Sequence, residues 1–439
     1  MAVLCVSLCN RMTYVMIEHF SLICKNWGWK ASMQTIVFIG SNKSGTSREA
    51  LTISNEMGYF TVLLTNRKSF IRQMKEFPEV HRIIYVEDLL DKDHILSIIK
   101  DLEQEKCQIK AVISFIDPFV AFAGRISQEL DLVYLSNDAL AIMEEKNLVR
   151  KHFKKNPVSP KYTVYHYDES IDEIMKEFDD SFPLVLKSPV SNGSKDVLPV
   201  KSTEELKEGL KYLKKRTPNK TVLIEEYLMG PQYLIEVMVV NGEISIIAVI
   251  EQDILNGTRF IITGYSYPAL LSFDESKTLQ SAVFHIIQQL ELVNGTCHLE
   301  MRNVKGQWKL IEINPRMSGG AMNRIIEEGT GINLVKETIK LFLGLEPVLE
   351  KTVMKYVYAK FLTIQSKGKL IKVTGKNRAL KHDGVTEVFV KPRKGAILRE
   401  PQSLGDRYAY VIAVADSAIK AKEIASKAAD EIKFYLDPL

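Results

Sequence analysis

Two runs of alternating apolar and polar residues, separated by a glycine-containing turn, constrain the fold more than any other feature of the chain. The first run spans residues 297–302 and the second spans residues 309–316. Successive side chains of a strand point to opposite faces, so each run has one apolar face and one polar face. Gly306 lies between the two runs, which predicts a β-hairpin.

The polar face of this hairpin carries two glutamates that we expect to face each other. If the turn centres on Gly306, Glu300 and Glu312 lie at equal distances from it along the chain. Opposed like charges destabilise a sheet, and a hard cation such as Mg²⁺ would neutralise them. Asn314 could supply a further oxygen, and Arg316 could bind a phosphoryl group or carboxylate bidentately.

A solvated sheet face is the alternative interpretation of the same two glutamates. It accounts for one glutamate on each strand. It accounts less well for Asn314-Pro315-Arg316 followed closely by Gly319 and Gly320, where the backbone can approach a ligand.

Residues 33–140 alternate short apolar strands with helices. We expect strands at 36–39, 59–64, 82–86 and 111–115, with helices at 47–57 and 93–102 between them. Such alternation predicts a parallel α/β sheet. The loop 40–45 resembles a phosphate-binding turn but lacks the G-x-G-x-x-G spacing, so a turn that lines a substrate pocket is the alternative.

The remaining chain is predicted to form two further parts and an N-terminal extension. Met33 opens the first clear strand, and residues 1–32 are predicted to be an extension; a helical arm used in dimer contact is the alternative. Pro157 and Pro160 make 156–160 a plausible linker. After about residue 350 a strand at 355–363 and a final helix from 417 to about 435 predict a small α+β domain. The predicted domains are therefore 33–140, 141–345 and 346–439.

Charge and cysteine content exclude several classes of function. The chain has 58 basic and 54 acidic residues, and this even balance does not favour binding to nucleic acid or a membrane surface. The chain contains no run of 18 apolar residues, so no transmembrane helix is predicted. Cys107 and Cys297 lack metal-ligand spacing and are interpreted as buried thiols of a cytoplasmic protein.

A second candidate site precedes the hairpin along the chain. Lys187 ends an apolar strand and leads into a small polar loop with Gly193, whose amides could hold phosphate oxygens. An exposed lysine beside a surface loop is the alternative. Lys146 lies on a helix predicted over 139–150, and residues 222–230 form a strand and turn on which Leu228 could pack against a nucleotide base.

These segments, in this order, resemble the ATP-grasp superfamily over about residues 34–435. Among its members the chain is similar to the L-amino-acid ligases, or dipeptide synthetases, of bacilli, which include an arginine-preferring ligase. The resemblance implies a fold of the α/β and α+β classes: an ATP-grasp fold with an N-terminal Rossmann-like (pre-ATP-grasp) domain and a C-terminal closing domain.

The resemblance also assigns roles to individual residues. The positions that it places beside ATP are Lys146, Lys187, Gly193, Ser194, Glu225, Glu226 and Leu228. The positions that it makes Mg²⁺ ligands are Glu300, Glu312 and Asn314. Arg316 matches the catalytic arginine that steadies the acyl phosphate and the tetrahedral adduct, and Gly319 and Gly320 match glycines beside the amino-acid substrate.

The chain departs from the pattern of the family at several positions. Gln232 replaces a glutamate after the hinge, so ribose recognition is expected to pass to Glu236. The loop 191–197 has few glycines, and Tyr265 replaces a histidine. Asp253 is a candidate contact for a basic substrate side chain, with an ordinary surface loop as the alternative.

The resemblance implies an ADP-forming ligase that joins two unprotected L-amino acids through an acyl phosphate. It implies ATP and Mg²⁺, with Mn²⁺ as a possible substitute, small-molecule amino acids as partners and a homodimer. A ligase that joins an amino acid to a carrier or another amine is one alternative. A non-catalytic nucleotide-binding protein is the other. Neither the amino acids accepted nor the base that deprotonates the amine follows from the sequence.

Overall fold

The computed structural model describes residues 32–133, 135–189, 193, 195–218, 221–255 and 259–439. The predicted extension therefore lies almost wholly outside the described residues, as does Ser194. No helix in the described ranges combines the length and the apolar character that crossing a bilayer requires.

The N-terminal region is a parallel sheet flanked by helices, as the alternating pattern predicts. Its strands are β1 (Met33–Ile39), β2 (Phe60–Thr65), β3 (Arg82–Tyr85) and β4 (Cys107–Ile113). Its helices are α1 (Thr46–Glu56), α2 (Lys68–Arg72), α3 (Lys92–Gln104) and α4 (Val120–Glu129). The strand order is β3-β2-β1-β4, and every pair is parallel. Both faces are covered, so these strands are almost continuously apolar.

Two short helices connect this region to the next sheet. They are α5 (Asn137–Glu144) and α6 (Lys146–His152), separated by Glu145 in an extended conformation. The single helix predicted over 139–150 is therefore wrong. The break makes Lys146 the first residue of α6, where its side chain lies beside the hairpin.

The second sheet is small and antiparallel. Its strands are β5 (Tyr162–Tyr165), β6 (Leu184–Lys187), β7 (Val197–Val200) and β8 (Val222–Glu226), in the order β5-β8-β6-β7. Helices α7 (Ile171–Glu177) and α8 (Thr203–Arg216) pack on it through a separate apolar cluster. Lys187 is the last residue of β6, as the sequence predicts.

The third sheet has eight strands. The first five along the chain are β9 (Gln232–Val240), β10 (Glu243–Leu255), β11 (Ile261–Tyr267), β12 (Gly295–Val304) and β13 (Gln307–Asn314). The others are β14 (Tyr356–Leu362), β16 (Val385–Val390) and β18 (Ala409–Ala415). Their order across the sheet is β13-β12-β9-β10-β11-β14-β18-β16. The sheet thus continues across the boundary that the sequence predicts at residue 345. Helices α9 (Phe273–Gln289), α10 (Met322–Thr330) and α11 (Leu334–Phe342) belong to its apolar core.

The C-terminal region adds a three-stranded sheet and two helices. The strands β15 (Gly368–Thr374), β17 (Ile397–Leu398) and β19 (Lys433–Pro438) pair in the order β17-β15-β19, and the helices are α12 (Lys376–Ala379) and α13 (Ala418–Ala429). The predicted final helix is wrong beyond Ala429. Residues 433–438 pair with β15 instead, because the alanines that bury one face of α13 end there.

The predicted hairpin is β12 and β13, and its register depends on a bulge. The turn is Lys305-Gly306, both with positive φ, so Val304 pairs with Gln307. That two-residue turn alone would place Glu300 opposite Ile311. A one-residue bulge at Ile311 shifts the register, so Glu300 faces Glu312 and His298 faces Asn314. The predicted pairing of the glutamates is confirmed. Strict alternation would place Ile311 on the apolar face with Ile313, but the bulge places it at the cleft.

Candidate functional site

The polar face of β9, β12 and β13 presents three successive rows of side chains. The pairing of the strands defines each row: Gln232 with Arg302, then Leu234 with Glu300 and Glu312, then Glu236 with His298 and Asn314. Alternate residues of a strand share a face, so neighbouring rows are about 7 Å apart. This order fixes the direction in which a long ligand would lie across the sheet.

The first row borders an open cleft of about 570 Å³ between the small sheet and the large one. Tyr227 and Leu228 line it from the loop after β8, and Phe260 lines it from the residue before β11. The Arg302 guanidinium lies 5.6 Å from the centre of the Tyr227 ring and 5.8 Å from that of Phe260. It donates to the Leu228 carbonyl and, at 3.0 Å, to Gln232 Oε1. An aromatic wall beside a fixed guanidinium suits a flat aromatic base.

A buried charge cluster closes the inner end of the cleft. Lys187 Nζ lies 2.6 Å from Glu225 Oε2, and Arg150 Nε donates to the other carboxylate oxygen. The bulge exposes the Ile311 carbonyl, which accepts from Arg150 Nη2 at 2.7 Å and from Lys187 Nζ at 3.3 Å. Burial lowers the pKa of Lys187, and the two cations lower the pKa of Glu225 against the opposing effect of its burial.

This cluster adds Arg150 to the site. The Glu225 carboxylate is held by two cations, and Glu225 also lines the cleft, so its predicted contact with the nucleotide stays a prediction. The sequence did not single out Arg150, because it is one of several basic residues on a short helix. Arg150 and Glu225 are 75 residues apart in the chain, and only the tertiary fold brings them into contact.

The second row brings together Lys146 and the two predicted metal ligands. Lys146 Nζ lies 3.1 Å from Glu312 Oε1, and Gln232 Nε2 donates to Glu300 Oε2 at 3.2 Å. Desolvation and the facing Glu312 raise the pKa of Glu300. Desolvation opposes ionisation of Glu312 as well, but Lys146 and Lys187 lower its pKa. The pair is therefore asymmetric, with the charge concentrated on Glu312.

The oxygen atoms of this row fit a divalent cation that also binds phosphate. No three His, Cys, Asp or Glu side chains in the described ranges form a metal cage by themselves. Mg²⁺ commonly binds one or two carboxylates and completes its coordination with water and substrate phosphates. Glu300, Glu312 and the Asn314 amide oxygen provide such an incomplete set.

The third row is built around a neutral histidine. His298 Nδ1 lies 2.8 Å from the Arg316 carbonyl, and Asn314 Nδ2 lies 3.2 Å from His298 Nε2. These partners assign the proton to Nδ1 and leave Nε2 as the acceptor. Burial, with Arg316 nearby, lowers the pKa of His298 to about 4. The hydrogen bond from Asn314 uses its nitrogen, so its oxygen points away from the histidine.

Arg316 reaches across to the N-terminal region. Its Nε lies 3.2 and 3.1 Å from the two carboxylate oxygens of Asp117, and Nη2 donates to the same carboxylate. Asp117 follows β4, where the carboxyl ends of parallel strands form a binding edge. The sequence pattern gave no reason to single out Asp117, because the contact joins residues 199 apart in the chain.

The segment after Arg316 lies against the first loop of the chain. A Cβ atom on Gly45 would come within 3.0 Å of the Gly320 backbone nitrogen. Gly319 and Gly320 are exposed at this junction, and Gly320 has a φ of +72°. Both glycine loops thus border the end of the site that lies beyond the third row.

Glu236 does not occupy the position that a ribose contact requires. It is fully buried in the third row, and its Oε1 accepts from the backbone nitrogen of Ser318 at 2.9 Å and from the Ser318 hydroxyl. Gln232, two rows away, lines the cleft instead. The expected transfer of ribose recognition from Gln232 to Glu236 is inconsistent with this geometry.

Asp253 also lies away from the site. Gln252 faces the three rows, so the next residue of β10 points to the opposite side of the sheet. There Asp253 accepts from Tyr358 Oη at 2.5 Å and pairs with Lys422 of α13 at 2.8 Å. A cation of the chain itself neutralises the carboxylate that we expected to meet a basic substrate.

The remaining predicted nucleotide contacts have separate positions. Leu228 lines the cleft, and Glu226 borders it while accepting from the Lys161 backbone nitrogen at 2.8 Å. Gly193 is exposed, with a φ of +68°, and its carbonyl accepts from the Leu404 nitrogen at 3.2 Å. Tyr265 is buried, packs edge-on against Phe361 and lies near Arg407.

Two family models match separate parts of the chain. Residues 180–324 match the ATP-grasp domain, and residues 360–437 match the L-amino acid ligase C-terminal domain 2. The first match contains the cleft and all three rows. The second covers most of the region that closes the C-terminal end of the large sheet.

Similar curated proteins include one without an assigned function and one synthase. The uncharacterized protein y4rH of Sinorhizobium fredii is 28% identical over 262 residues, which are 58% of this chain and 54% of that protein. Dapdiamide A synthase of Enterobacter agglomerans is 23% identical over 346 residues, which are 74% of this chain and 80% of the synthase. The chain thus spans only about half of y4rH but most of the synthase.

Solved structures share the fold at low sequence identity. The L-amino acid ligase from Bacillus licheniformis has a TM-score of 0.79 at 20% identity, and the match covers 93% of this chain and all of the ligase. The biotin carboxylase domain of the Hydrogenobacter thermophilus 2-oxoglutarate carboxylase, solved with MgADP, has a TM-score of 0.69 at 15% identity, over 92% of this chain and 91% of that one. The chain therefore has the ATP-grasp fold, and its residues 360–437 are similar to the C-terminal domain 2 of L-amino acid ligases.

Proposed function

We propose that the protein is an ATP-dependent ligase that joins two unprotected L-amino acids into a dipeptide and releases ADP and phosphate. The observation that carries this proposal is the pair of facing glutamates, Glu300 and Glu312. The pair lines the cleft, and Arg316 follows the same hairpin beyond Asn314. A triphosphate that starts in the cleft would end over this pair, and an acyl group would lie one row further.

The residues of the second row are suited to bind the triphosphate and Mg²⁺. Glu300, Glu312 and Asn314 would hold the ion, and Mn²⁺ accepts the same oxygen ligands. When bound, Mg²⁺ neutralises phosphate charge. Lys146 and Lys187 would bind phosphate oxygens, and the cations at the inner end of the cleft are already fixed by Glu225 and the Ile311 carbonyl.

Arg316 would act at the acyl end. Its guanidinium is held in a fixed orientation by Asp117, so it needs little reorganisation to meet an acyl phosphate. In the first step a substrate carboxylate oxygen attacks the γ-phosphorus, and ADP leaves. In the second step the amine nitrogen attacks the acyl carbon, the bond from carbon to phosphate oxygen breaks, and phosphate leaves.

The relatives support this reaction class and leave the amino acids undefined. One matched domain model and one structural neighbour carry the name of L-amino acid ligase, and a similar curated protein is a dapdiamide synthase. An arginine preference is not part of the proposal, because Asp253 is neutralised by Lys422. A homodimer is a further proposal, which light scattering of the full chain would test.

The test is ADP release with single and paired amino acids. The protein is incubated with ATP, Mg²⁺ and the twenty proteinogenic L-amino acids, one or two at a time. ADP, AMP, phosphate and dipeptide are measured by chromatography. Release of ADP and a dipeptide that depends on a pair supports the proposal. Release of AMP would indicate an adenylating enzyme and contradict it.

The same assay separates the two alternatives. A ligase that uses a carrier or another amine would release ADP only when that amine replaces the second amino acid. A non-catalytic protein would bind ATP without releasing ADP under any condition. The paired positions Glu300 and Glu312 favour catalysis, because nucleotide binding alone does not require two facing carboxylates.

A further inference from the structure

Glu236 is a buried carboxylate that the proposed mechanism does not yet use. It has no exposed surface. One oxygen accepts two hydrogen bonds from Ser318, and the other, Oε2, has no hydrogen-bond partner among the described residues. A buried carboxylate oxygen without a partner is costly to the fold, so its retention calls for a functional reason.

The position of Glu236 places it at the acyl end. It lies in the third row, opposite His298, one row beyond Glu300 and Glu312. A nucleotide in the cleft occupies the first row and its phosphates reach the second. The activated carboxyl carbon and the incoming amine therefore meet near the third row and the segment that follows Arg316.

Ser318 connects this buried carboxylate to the surface of the site. Glu236 has no exposed surface, whereas Ser318 is 6% exposed. The Ser318 hydroxyl donates its proton to Glu236 Oε1, so its oxygen keeps lone pairs for a second partner. Of these two residues, Ser318 is the one with exposed surface that could contact a ligand. When its oxygen takes a proton, its own hydroxyl proton can pass to Glu236.

The other groups around Glu236 are poor proton acceptors. On β12, His298 has a pKa lowered to about 4 by burial, but its Nε2 already accepts from Asn314. The neighbouring Cys297 thiol has a pKa raised by burial and by Glu236, so it remains protonated. Arg316 is cationic and paired with Asp117. The segment after Arg316 contributes only Ser318, and β10 contributes Ala248 opposite Glu236.

We propose that Ser318 and Glu236 form the proton relay for the amine that attacks the acyl phosphate. As the nitrogen-to-carbon bond forms and phosphate leaves, the nitrogen gives one proton to Ser318 Oγ. The Ser318 hydroxyl proton passes to Glu236 Oε1, and Glu236 becomes a neutral acid. The relay rests on the proposed ligase activity and supplies the base that the sequence did not identify.

The acidity of Glu236 agrees with this role. Burial raises the pKa of Glu236 to about 7, although Ser318 and Arg316 act in the opposite direction. A base whose pKa lies near neutrality can accept a proton during the reaction and release it afterwards. Since the relay needs the carboxylate form, dipeptide synthesis should fall as the pH drops below about 7.

Hydroxylamine separates the relay from the formation of the acyl phosphate. It is an uncharged nucleophile near neutral pH, and it traps acyl phosphates as hydroxamates without a protein base. We therefore compare two products for the active amino acids: hydroxamate with added hydroxylamine, and dipeptide with the second amino acid. Glu236→Gln should lower the dipeptide rate about 100-fold, the usual contribution of a general base, and leave the hydroxamate rate within about threefold.

Two further variants distinguish a relay from a structural role. Ser318→Ala keeps the backbone hydrogen bond to Glu236 but removes the hydroxyl, so it should lower the ratio of dipeptide to hydroxamate as Glu236→Gln does. Glu144→Gln is the matched control. Glu144 is also largely buried with a pKa raised to about 7 by burial, but it binds the Val120 and Ala121 nitrogens outside the three rows. Its variant should keep the wild-type ratio.

Each outcome decides the proposal. A lowered ratio in both site variants, with an unchanged ratio in the control, supports the relay. An unchanged ratio in Ser318→Ala overturns it, even if Glu236→Gln does not fold. Loss of hydroxamate and dipeptide in equal proportion indicates a structural role and also overturns it. If the wild-type protein forms no hydroxamate and no ADP with any amino acid, the proposed ligase function fails instead.

Discussion

The two charge clusters on either side of the Ile311 bulge are balanced in opposite ways. In the first, Glu225 lies between Arg150 and Lys187, and all three side chains are buried. In the second, Glu300 faces Glu312, and Lys146 is the cation paired with Glu312. In the first cluster each charged side chain has an opposite charge beside it, and Glu225 holds Lys187 in position for phosphate. The second keeps a like-charge contact that a bound cation would relieve, so we expect the metal ion at the second cluster.

The first prediction removes the carboxylate from the cluster of Arg150, Lys187 and Glu225. Glu225→Gln leaves Arg150 and Lys187 buried without a counter-charge, and we expect a loss of about 3–5 kcal/mol in the free energy of unfolding. Urea denaturation followed by circular dichroism would measure it. Equal stability of variant and wild type would show that the cluster contributes nothing to the fold.

The pH dependence of this difference provides a check. The pKa of Glu225 is lowered in the folded protein, so its stabilisation is present above its ordinary value of 4.5. The advantage of the wild type over Glu225→Gln should therefore shrink as the pH falls below that value. A difference that grows on acidification would contradict the assigned ion pairs.

The second prediction removes one carboxylate of the unbalanced pair. Glu312→Ala should lower ADP formation about 100- to 1000-fold, the range for loss of one charge-stabilising group in an active site. Its effect on stability should be small, because the pair does not stabilise the chain by itself. The matched control is Glu103→Ala, an exposed glutamate on α3. Preserved ADP formation in Glu312→Ala would refute the metal assignment.

The third prediction tests the outer end of the cleft. Arg302→Met loses the contacts with Tyr227, Phe260 and the Leu228 carbonyl. We expect KM for ATP to rise about tenfold with kcat nearly unchanged, because these contacts lie far from the transferred phosphate. Arg302→Lys keeps the charge but lacks the planar guanidinium, so its KM for ATP should lie between those of the wild type and Arg302→Met. A main effect on kcat would contradict this location of the base.

The fourth prediction concerns Glu300, the carboxylate of the pair that faces Glu312. Burial and Glu312 raise the pKa of Glu300 to about 7, so the like-charge contact is present above that pH. There Glu300→Gln removes the contact without changing shape and should stabilise the ligand-free protein by up to about 1 kcal/mol. Thermal unfolding without Mg²⁺ would measure this gain, which should disappear when Mg²⁺ and ATP protect the wild type. Destabilisation of the ligand-free variant would mean that Glu300 is a structural group like Glu225.

Local patterns predicted much of the fold and part of the site. The hairpin, the parallel N-terminal sheet and the position of Lys187 at a strand end follow from residues close together in the sequence. The facing of Glu300 and Glu312 was predicted correctly, although the assumed turn was one residue too wide and the Ile311 bulge compensated for it. The only sign of the bulge in this run is the adjacent apolar pair Leu310 and Ile311, which by itself does not specify a bulge.

The errors share one cause, which is that strand alternation and helix propensity ignore distant partners. The sequence pattern did not indicate on which face of the sheet Asp253 lies, and in the fold its carboxylate pairs with Lys422. Glu236 was assigned to a ribose, but the segment after Arg316 folds over it and brings Ser318 to its carboxylate. The last helix was extended past Ala429 because the pairing of β19 with β15 is invisible in the local sequence.

Local sequence was enough to identify the residues that share the polar face of the hairpin, since side-chain direction along a strand depends on alternate positions. It was enough for the order of the elements for the same local reason. Which charges are neutralised depends on the tertiary fold, because Arg150 with Glu225, Asp117 with Arg316 and Lys422 with Asp253 join residues far apart in the chain. Such pairs depend on how the sheets pack, and that is set by the burial of the whole core rather than by any short segment.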